Sequence, residues 1–371
     1  MRIAHVVATF PPYWAGTGNV AYQQSRVLHE RGYAVEVFTA LPAHEQPMDF
    51  PFPVHYLKTW GRLGNAPFTP SLIRQLRGFD LIHLHYPYIF GADLTVIAAR
   101  RYHIPVVATY HNDLLGSGFK GMLFSLYNSL RQPSILRKTV RVITTTRDYA
   151  NHSKLATLHP LPIGVIPLAV DLPDATVTEH DINLPIPKRF VLFVGALDSA
   201  HRFKGLEILL DAMVLLKDTG IALLIAGDGN LRSEFVKKAQ DLYLSSVTFV
   251  GKVPPSSTLR ALYKQAIATV LPSISTESFG LVILESWANQ TPVVATLIPG
   301  VRELIGDGSD GLLVSPGDPR ELAKAITQMA ENPRKAQRMG EAGYQKVRTY
   351  YTWDRVVDQI EALYREVVQT A

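Results

Sequence analysis

Short apolar runs and amphipathic stretches alternate along this chain, and they do so twice. Arg2–Ala8 is a compact apolar run of the kind that a parallel strand buried on both faces requires. A loop with Pro11, Pro12, Gly16 and Gly18 follows. A helix is then expected from about Asn19 to Arg31, closed by Gly32, which can take a left-handed cap without steric cost. Ala34–Thr39, Leu81–His85, Val106–Tyr110, Arg141–Thr146 and Val165–Val170 read as further strands. Alternation of this kind implies a doubly wound parallel sheet.

The texture changes over residues 171–188, where Pro173, Pro185 and Pro187 interrupt any periodicity, and this stretch reads as a linker. Alternation then restarts. Strands are expected at Phe190–Val194, Ala222–Ala226, Val247–Val250, Ala268–Leu271 and Val293–Ala295, with helices at Leu206–Lys217, Leu231–Leu242, Ser257–Gln265 and Gly280–Asn289. Three long helices close the chain: Pro319–Glu331, Pro333–Arg348 and Trp353–Val368. The expected organisation is an α/β chain of two Rossmann-like halves. Residues 1–170 form the first, 171–188 the linker and 189–352 the second, with 353–371 packing back on the first.

The length of 371 residues suits two domains. The absence of cysteine removes disulfides and thiolate metal sites. No apolar run reaches the eighteen or so residues that a membrane span needs, and the first residues read better as a buried strand than as a signal peptide. A cytoplasmic location is therefore expected. Charge is uneven within the net +5: residues 1–170 hold 16 Lys/Arg against 8 Asp/Glu, whereas 171–371 hold 21 against 24. The basic half suits an anionic partner.

The strongest constellation is Glu277-Ser-Phe-Gly-Leu-Val-Ile-Leu-Glu285, directly after the expected strand Ala268–Leu271. Gly280 opens a helix whose first backbone N–H groups are free to meet an anion. Glu277 stands in the preceding loop, where a carboxylate accepts hydrogen bonds from sugar hydroxyls, and Glu285 is one to two turns into the helix, within reach of a ribose diol. The plainer account makes Glu277 a helix-start acid favoured by the dipole and Glu285 a surface residue. Phe279 next to Gly280 reads as exposed, with no core role. Arg202 and Lys204, just before a helix, supply cations that stabilise charge growing on a diphosphate leaving group; otherwise they are solvated surface charges. Gly16-x-Gly18-x-x-Ala21 competes as a dinucleotide fingerprint. Thr9–Ala15 separates it from its strand, however, and the second strand ends without an acid.

His111 ends a buried-looking strand at the sheet edge where ligands bind in open α/β sheets. His83 and His85 share a strand face and, with His111, invite a zinc reading. Asp113 is only a distant carboxylate, so no metal is expected. There is also no Asp-x-Asp in the chain, which argues against metal-dependent transfer.

The chain resembles the retaining GT-B glycosyltransferases of family 4, the glycosyl transferases of group 1. Glu277 to Glu285 matches the Glu-x7-Glu motif of that family, and other matches occur in order over nearly the full length. They are Gly16-Thr-Gly18, Phe79-Asp80-Leu-Ile-His83-Leu-His85, Ala108-Thr-Tyr-His111, Lys204-Gly205, Ala226-Gly227-Asp228-Gly229 and Phe249-Val250-Gly251-Lys252-Val253. The resemblance implies the GT-B fold, two Rossmann-like doubly wound domains facing across a cleft, and metal-independent, cofactor-free transfer of a hexosyl group from a nucleotide-sugar to an acceptor hydroxyl with retention. It implies His111, Glu277 and Lys204 as catalytic residues. Donor binding falls to Gly16, Gly18, Arg202, Lys204, Gly227, Gly229, Lys252, Val253, Glu277, Ser278, Phe279, Gly280, Leu281 and Glu285, with the base near Lys252 and Val253. The family usually has Arg directly after the glycine of the preceding strand. Ala196 stands there instead, with Arg202 or His201 as the substitute cation. The alternatives are a nicotinamide oxidoreductase or a non-catalytic nucleotide-sugar-binding relative.

The segment from Gly118 to Arg131 predicts a helix with exposed Phe119, Met122, Leu123 and Leu126, followed by Arg131, Arg137, Lys138, Arg141, Arg147 and Lys154. An apolar face beside cations suits peripheral contact with an anionic membrane surface on its inner face. A core helix beside a solvated charged face is the competing account. The acceptor is expected to be a sugar, a lipid or a lipid-linked molecule. Nucleic acid is not expected, because no stacking aromatics accompany the basic residues.

Overall fold

A computed structural model describes the chain except for residues 13–15, 41–45, 64–65, 115, 117, 159, 174–183, 255–256, 276 and 371, together with the side chains of residues 63, 66, 119 and 120. It divides into two compact units, Met1–Leu168 with Trp353–Ala371, and Ala169–Thr352. Each is a parallel sheet layered with helices.

The strands of the first unit are β1 (Arg2–Val6), β2 (Ala34–Thr39), β3 (Val54–Tyr56), β4 (Gly61–Leu63), β5 (Ala66–Phe68), β6 (Leu81–Tyr86), β7 (Val106–Tyr110), β8 (Arg141–Thr144) and β9 (Ile163–Val165). Seven of them form one parallel sheet in the order β3-β2-β1-β6-β7-β8-β9, while β4 and β5 make a separate antiparallel hairpin. β6 and β7 are buried along their whole lengths, which is why their sequences are nearly unbroken runs of apolar and aromatic residues and histidines. The C-terminal helix Trp353–Thr370 buries Trp353, Val356, Val357, Ile360, Tyr364 and Val367 in this unit. Arg31, just past the helix Gly16–Glu30, ties it down through Asp358 at 2.8 Å, Asp354 at 3.3 Å and Glu361 at 3.4 Å.

The second unit holds β10 (Phe190–Val194), β11 (Ala222–Ala226), β12 (Val247–Gly251), β13 (Thr269–Leu271), β14 (Val293–Thr296) and β15 (Gly311–Val314). They form one parallel sheet, β12-β11-β10-β13-β14-β15. Strand order reverses between β10 and β13, the point at which open α/β sheets leave a crevice at their carboxyl ends.

The structure moves several expected boundaries. Val165–Val170 is not a strand: pairing ends at Val165, because Pro167 has no N–H to donate to a ladder. Gly16 and Gly18 belong to the first turn of the helix Gly16–Glu30, not to the loop before it. The helix Gly91–Tyr102 escapes sequence reading because its N-cap is Phe90, with φ 65° and no side-chain cap.

Candidate active site

In the second unit, three loops leave the carboxyl ends of neighbouring strands. After β10, Asp198 caps a short 3-10 turn, Ser199–Lys204, accepting from Ala200 N at 2.9 Å and His201 N at 3.0 Å. The turn ends on Gly205, whose φ of 71° puts it in the left-handed region and whose position a Cβ could not share, since it would lie 2.0 Å from the Pro272 carbonyl. Ile274 N donates to Phe203 O at 2.8 Å. The β10 and β13 loops are therefore pressed together.

This contact brings Lys204 to Glu277. The Lys204 Nζ lies 3.3 Å from Glu277 Oε2, and the buried Ser273 hydroxyl donates to the same oxygen at 3.2 Å. Both charged side chains are largely covered, with 14% and 13% of their area exposed. Glu285, in the helix Leu281–Ala288, accepts from Tyr263 Oη at 2.6 Å. Burial pushes the Glu285 carboxyl up, while the Tyr263 hydroxyl and the Lys204 charge pull it back. One cation thus sits among two carboxylates at the strand-order reversal. Gly280 precedes the helix with φ 81° and no side-chain cap, and the opening turn of a helix that no side chain caps suits an anion. Phe279, expected to be exposed, is buried and packs edge-to-face on Tyr351 with centroids 6.0 Å apart. Its ring anchors the loop.

Other expected residues lie elsewhere. Gly227 and Gly229 follow β11, where each permits close backbone packing, on Gly195 O and Leu197 O respectively. Lys252 is exposed just beyond β12, and the half-buried Val253 packs on the core beside Phe190 and Leu192. Arg202 lies in the same 3-10 turn as Lys204. It lies between Glu207 and Glu234, the latter at 2.7 Å, and His201 is bonded to Asp198 at 2.8 Å. Both side chains are thus engaged by acids of the same unit. Sequence reading missed Ser273, Tyr263 and Gly300. A Cβ at Gly300 would lie 2.0 Å from Glu277 O, so this glycine lets the β14 loop support the site. No motif spacing marks any of the three.

In the first unit, Gly18 packs against Thr9 O, which a Cβ would approach to 2.6 Å, while Gly16 is exposed. His111 follows β7 directly, buried, with its N–H on Tyr86 O at 2.8 Å. Its Nε2 lies 2.9 Å from His85 Nδ1, and His85 Nε2 lies 3.0 Å from His5 Nδ1. His83 is bonded to Tyr364 and, at 2.6 Å, to Thr109. Burial lowers all four histidines, His5 and His111 to about 3. Ring nitrogens of His5, His83 and His85 come within 4.8 Å of one another, close enough to share an ion. Hydroxyls already take both nitrogens of His83, and rings take both of His85. Asp113 is bonded to Tyr110 and Lys154 N instead.

On the helix Gly118–Leu130, Met122 and Leu126 are exposed, joined by Leu130, whereas Leu123 is half-buried and Phe124 is buried. Phe119 lies outside the described side chains. Arg131 is paired with Asp93. No helix among the described residues is long and apolar enough to cross a membrane.

Residues 177–346 match the family model "Glycosyl transferases group 1", and residues 14–173 match "Glycosyltransferase Family 4". The chain is 27% identical to the O-antigen chain mannosyltransferase C of Escherichia coli, with 100% of each covered. It is 28% identical to the phosphatidyl-myo-inositol mannosyltransferase of Mycobacterium leprae, with 95% of this chain and 93% of the relative covered. Among solved structures, the sucrose-phosphate synthase of Thermosynechococcus elongatus superposes with a TM-score of 0.83 at 23% identity, covering all of both chains. HepE of Anabaena, solved with UDP and glucose, gives 0.77 at 20% identity, covering 98% of this chain and 99% of its own. Two parallel-sheet α/β units, a cation set between carboxylates and these likenesses define a glycosyltransferase. The chain belongs to the glycosyltransferases of GT-B architecture, and the nicotinamide reading gives way to that assignment.

Proposed function

We propose that the chain transfers a hexosyl group from a nucleotide-sugar to an acceptor hydroxyl, with retention and without a metal ion. The observation that carries this reading is the cluster Lys204–Glu277–Ser273 with Glu285 beside it, at the reversal of strand order in the second unit. Glu285 takes the ribose diol, and the base lies near Lys252 and Val253. Lys204 and the first turn after Gly280 meet the diphosphate, whose charge grows as the glycosidic bond breaks. Glu277, held by Lys204 and Ser273, accepts from hydroxyls of the transferred sugar, and His111 contacts that sugar. The acceptor is a sugar, a lipid or a lipid-linked molecule. The activities of the mannosyltransferase relatives and the UDP and glucose of the HepE structure support the donor and acceptor classes. The exposed Met122, Leu126 and Leu130 support peripheral contact with an inner membrane face.

The test is a thermal-shift panel of UDP, GDP, ADP and their sugars, since a ligand that binds only the folded chain raises its Tm. One nucleotide series should stabilise the chain. In calorimetry, Glu285→Ala should weaken the nucleoside diphosphate by about 1–3 kcal/mol, the range for a charge-assisted hydrogen bond. Glu277→Ala should abolish most transfer while the diphosphate still binds. Equal loss of nucleotide and nucleotide-sugar affinity in Glu277→Ala would show that its role is misassigned.

A further inference from the structure

Three histidines from three different elements stand in line behind the exit of β7. His5 is on β1, His85 is on the neighbouring β6, and His111 follows β7. The His85 ring stacks on both of its partners at 5.2 Å between centroids, and the two nitrogen–nitrogen contacts of 3.0 and 2.9 Å are hydrogen-bond lengths. All three side chains are buried, so the rings stay neutral, and a neutral imidazole carries a single N–H.

That count couples the rings. His85 uses both nitrogens, so it donates with one and accepts with the other, and the two bonds must run in the same direction. In one direction His5 donates from Nδ1 to His85 Nε2, and His85 donates from Nδ1 to His111 Nε2. The proton of His111 is then on Nδ1, and His5 Nε2 keeps a bare lone pair. In the other direction the proton of His111 is on Nε2, and His5 Nε2 carries an N–H. That His5 nitrogen is buried and has no hydrogen-bond partner among the described residues. A buried N–H with no acceptor is the rarer and costlier defect, so the first direction wins. The far end of the row is closed, which makes it an orienting device and not an exit path for protons.

We propose that His5 and His85 are positioning residues that hold His111 in the Nδ1-protonated tautomer, so that its ring meets the nucleotide-sugar as a hydrogen-bond donor to a hydroxyl or phosphate oxygen. The inference rests on the reading of His111 as a sugar-facing residue. It assigns work to two buried histidines that the transfer reaction itself leaves unused.

The test has two arms on the full-length chain. Ring ¹⁵N NMR of the wild-type protein labelled at histidine should show His111 Nδ1 as the protonated nitrogen and Nε2 as the bare one; the opposite assignment overturns the proposal. The second arm follows release of nucleoside diphosphate from UDP-glucose, GDP-mannose and ADP-glucose. His85→Phe keeps a stacked ring but removes both bonds. It should lower kcat by about 10–100-fold, as loss of an orienting partner does elsewhere, with diphosphate affinity unchanged. His85→Gln, which can still accept on one side and donate on the other, should recover most of that rate. Addition of His5→Phe to His85→Phe should cost little more. Equal rates in His85→Phe and His85→Gln at matched Tm would reduce the row to packing and overturn the proposal. If His85→Phe does not fold, the wild-type tautomer decides alone. If none of the three nucleotide-sugars binds or is cleaved, the donor reading falls, while the tautomer assignment still decides this inference.

Discussion

At the scale of single residues, the Lys204–Glu277 pair of the second unit and the buried histidines of the first are built on opposite electrostatic terms. Lys204 and Glu277 form an ion pair at 3.3 Å in a largely covered place. The buried His5, His83, His85 and His111 have no carboxylate partner among the described residues and stay neutral. Lys204→Met should therefore lower turnover by about 10²–10³, the usual loss for one fixed donor aimed at developing charge. Transfer should survive EDTA; full loss restored by a divalent ion would reopen the metal reading of the first-unit histidines. The neutral histidines set a stability profile. Their folded pKa values lie below the unfolded value of about 6.5, so the unfolded chain binds more protons throughout that interval. The stability they contribute is present in full above pH 6.5 and is lost as pH falls towards 3. Each neutral histidine forfeits about 1.4 kcal/mol per pH unit there. Urea unfolding should thus give a stability that drops steeply between pH 6.5 and 4.5, with a shallower slope in His85→Gln. A flat profile would mean that the histidines are not buried as neutral groups.

At the scale of elements, what could be read from the sequence depended on whether the determining contacts were local. Strands such as Phe190–Val194 and Ala222–Ala226 announced themselves because burial on both faces demands unbroken apolar runs. Gly280 and Glu285 were legible because a helix start and a position one turn on are local facts. Ser273, Tyr263 and Gly300 were not, since they reach Glu277 and Glu285 from separate elements and only packing joins them. His5 was missed for the same reason: its partner is 80 residues away and becomes a neighbour only when β1 lies beside β6. The helix Gly118–Leu130 shows the limit of an all-apolar run. Its burial pattern, and not its composition, shows which face is unpartnered. Met122, Leu126 and Leu130 are 59%, 56% and 64% exposed, at spacings of four that put them on one stripe. Arg137 and Lys138 are exposed a few residues on. On anionic vesicles the protein should float, release in high salt, and bind less well as Arg137→Ser/Lys138→Ser or Met122→Ser/Leu126→Ser. Failure to float at low salt would remove membrane contact and favour a soluble acceptor without touching the assignment as a glycosyltransferase.

At the scale of the whole molecule, the order of elements along the chain is not the order of its compact units. The last helix, Trp353–Thr370, follows the second unit in sequence yet is part of the first. Within the second unit, Val170 N donates to Tyr351 O at 3.0 Å, so the chain leaves that unit beside the place where it entered. The helix is no ornament on the first unit. It buries six large side chains there, and Tyr364 reaches His83, one strand position from Leu84 in the middle of β6. At about 1.5–3 kcal/mol for each fully buried large side chain, its removal costs on the order of 10 kcal/mol, comparable to the whole stability of an ordinary domain. A chain ending at Thr352 should therefore lose the first unit while keeping the second. Scanning calorimetry should show the transition of the second unit alone, and hydrogen exchange should report fast exchange across β1, β6 and β7 but continued protection in β10 and β11. Adding the 353–371 peptide in trans should restore protection in proportion to its concentration, since it binds only the folded form. A truncated chain with native protection in β6 would show that the first unit folds without its C-terminal helix. It would also leave the bond from Tyr364 to His83 without a structural role.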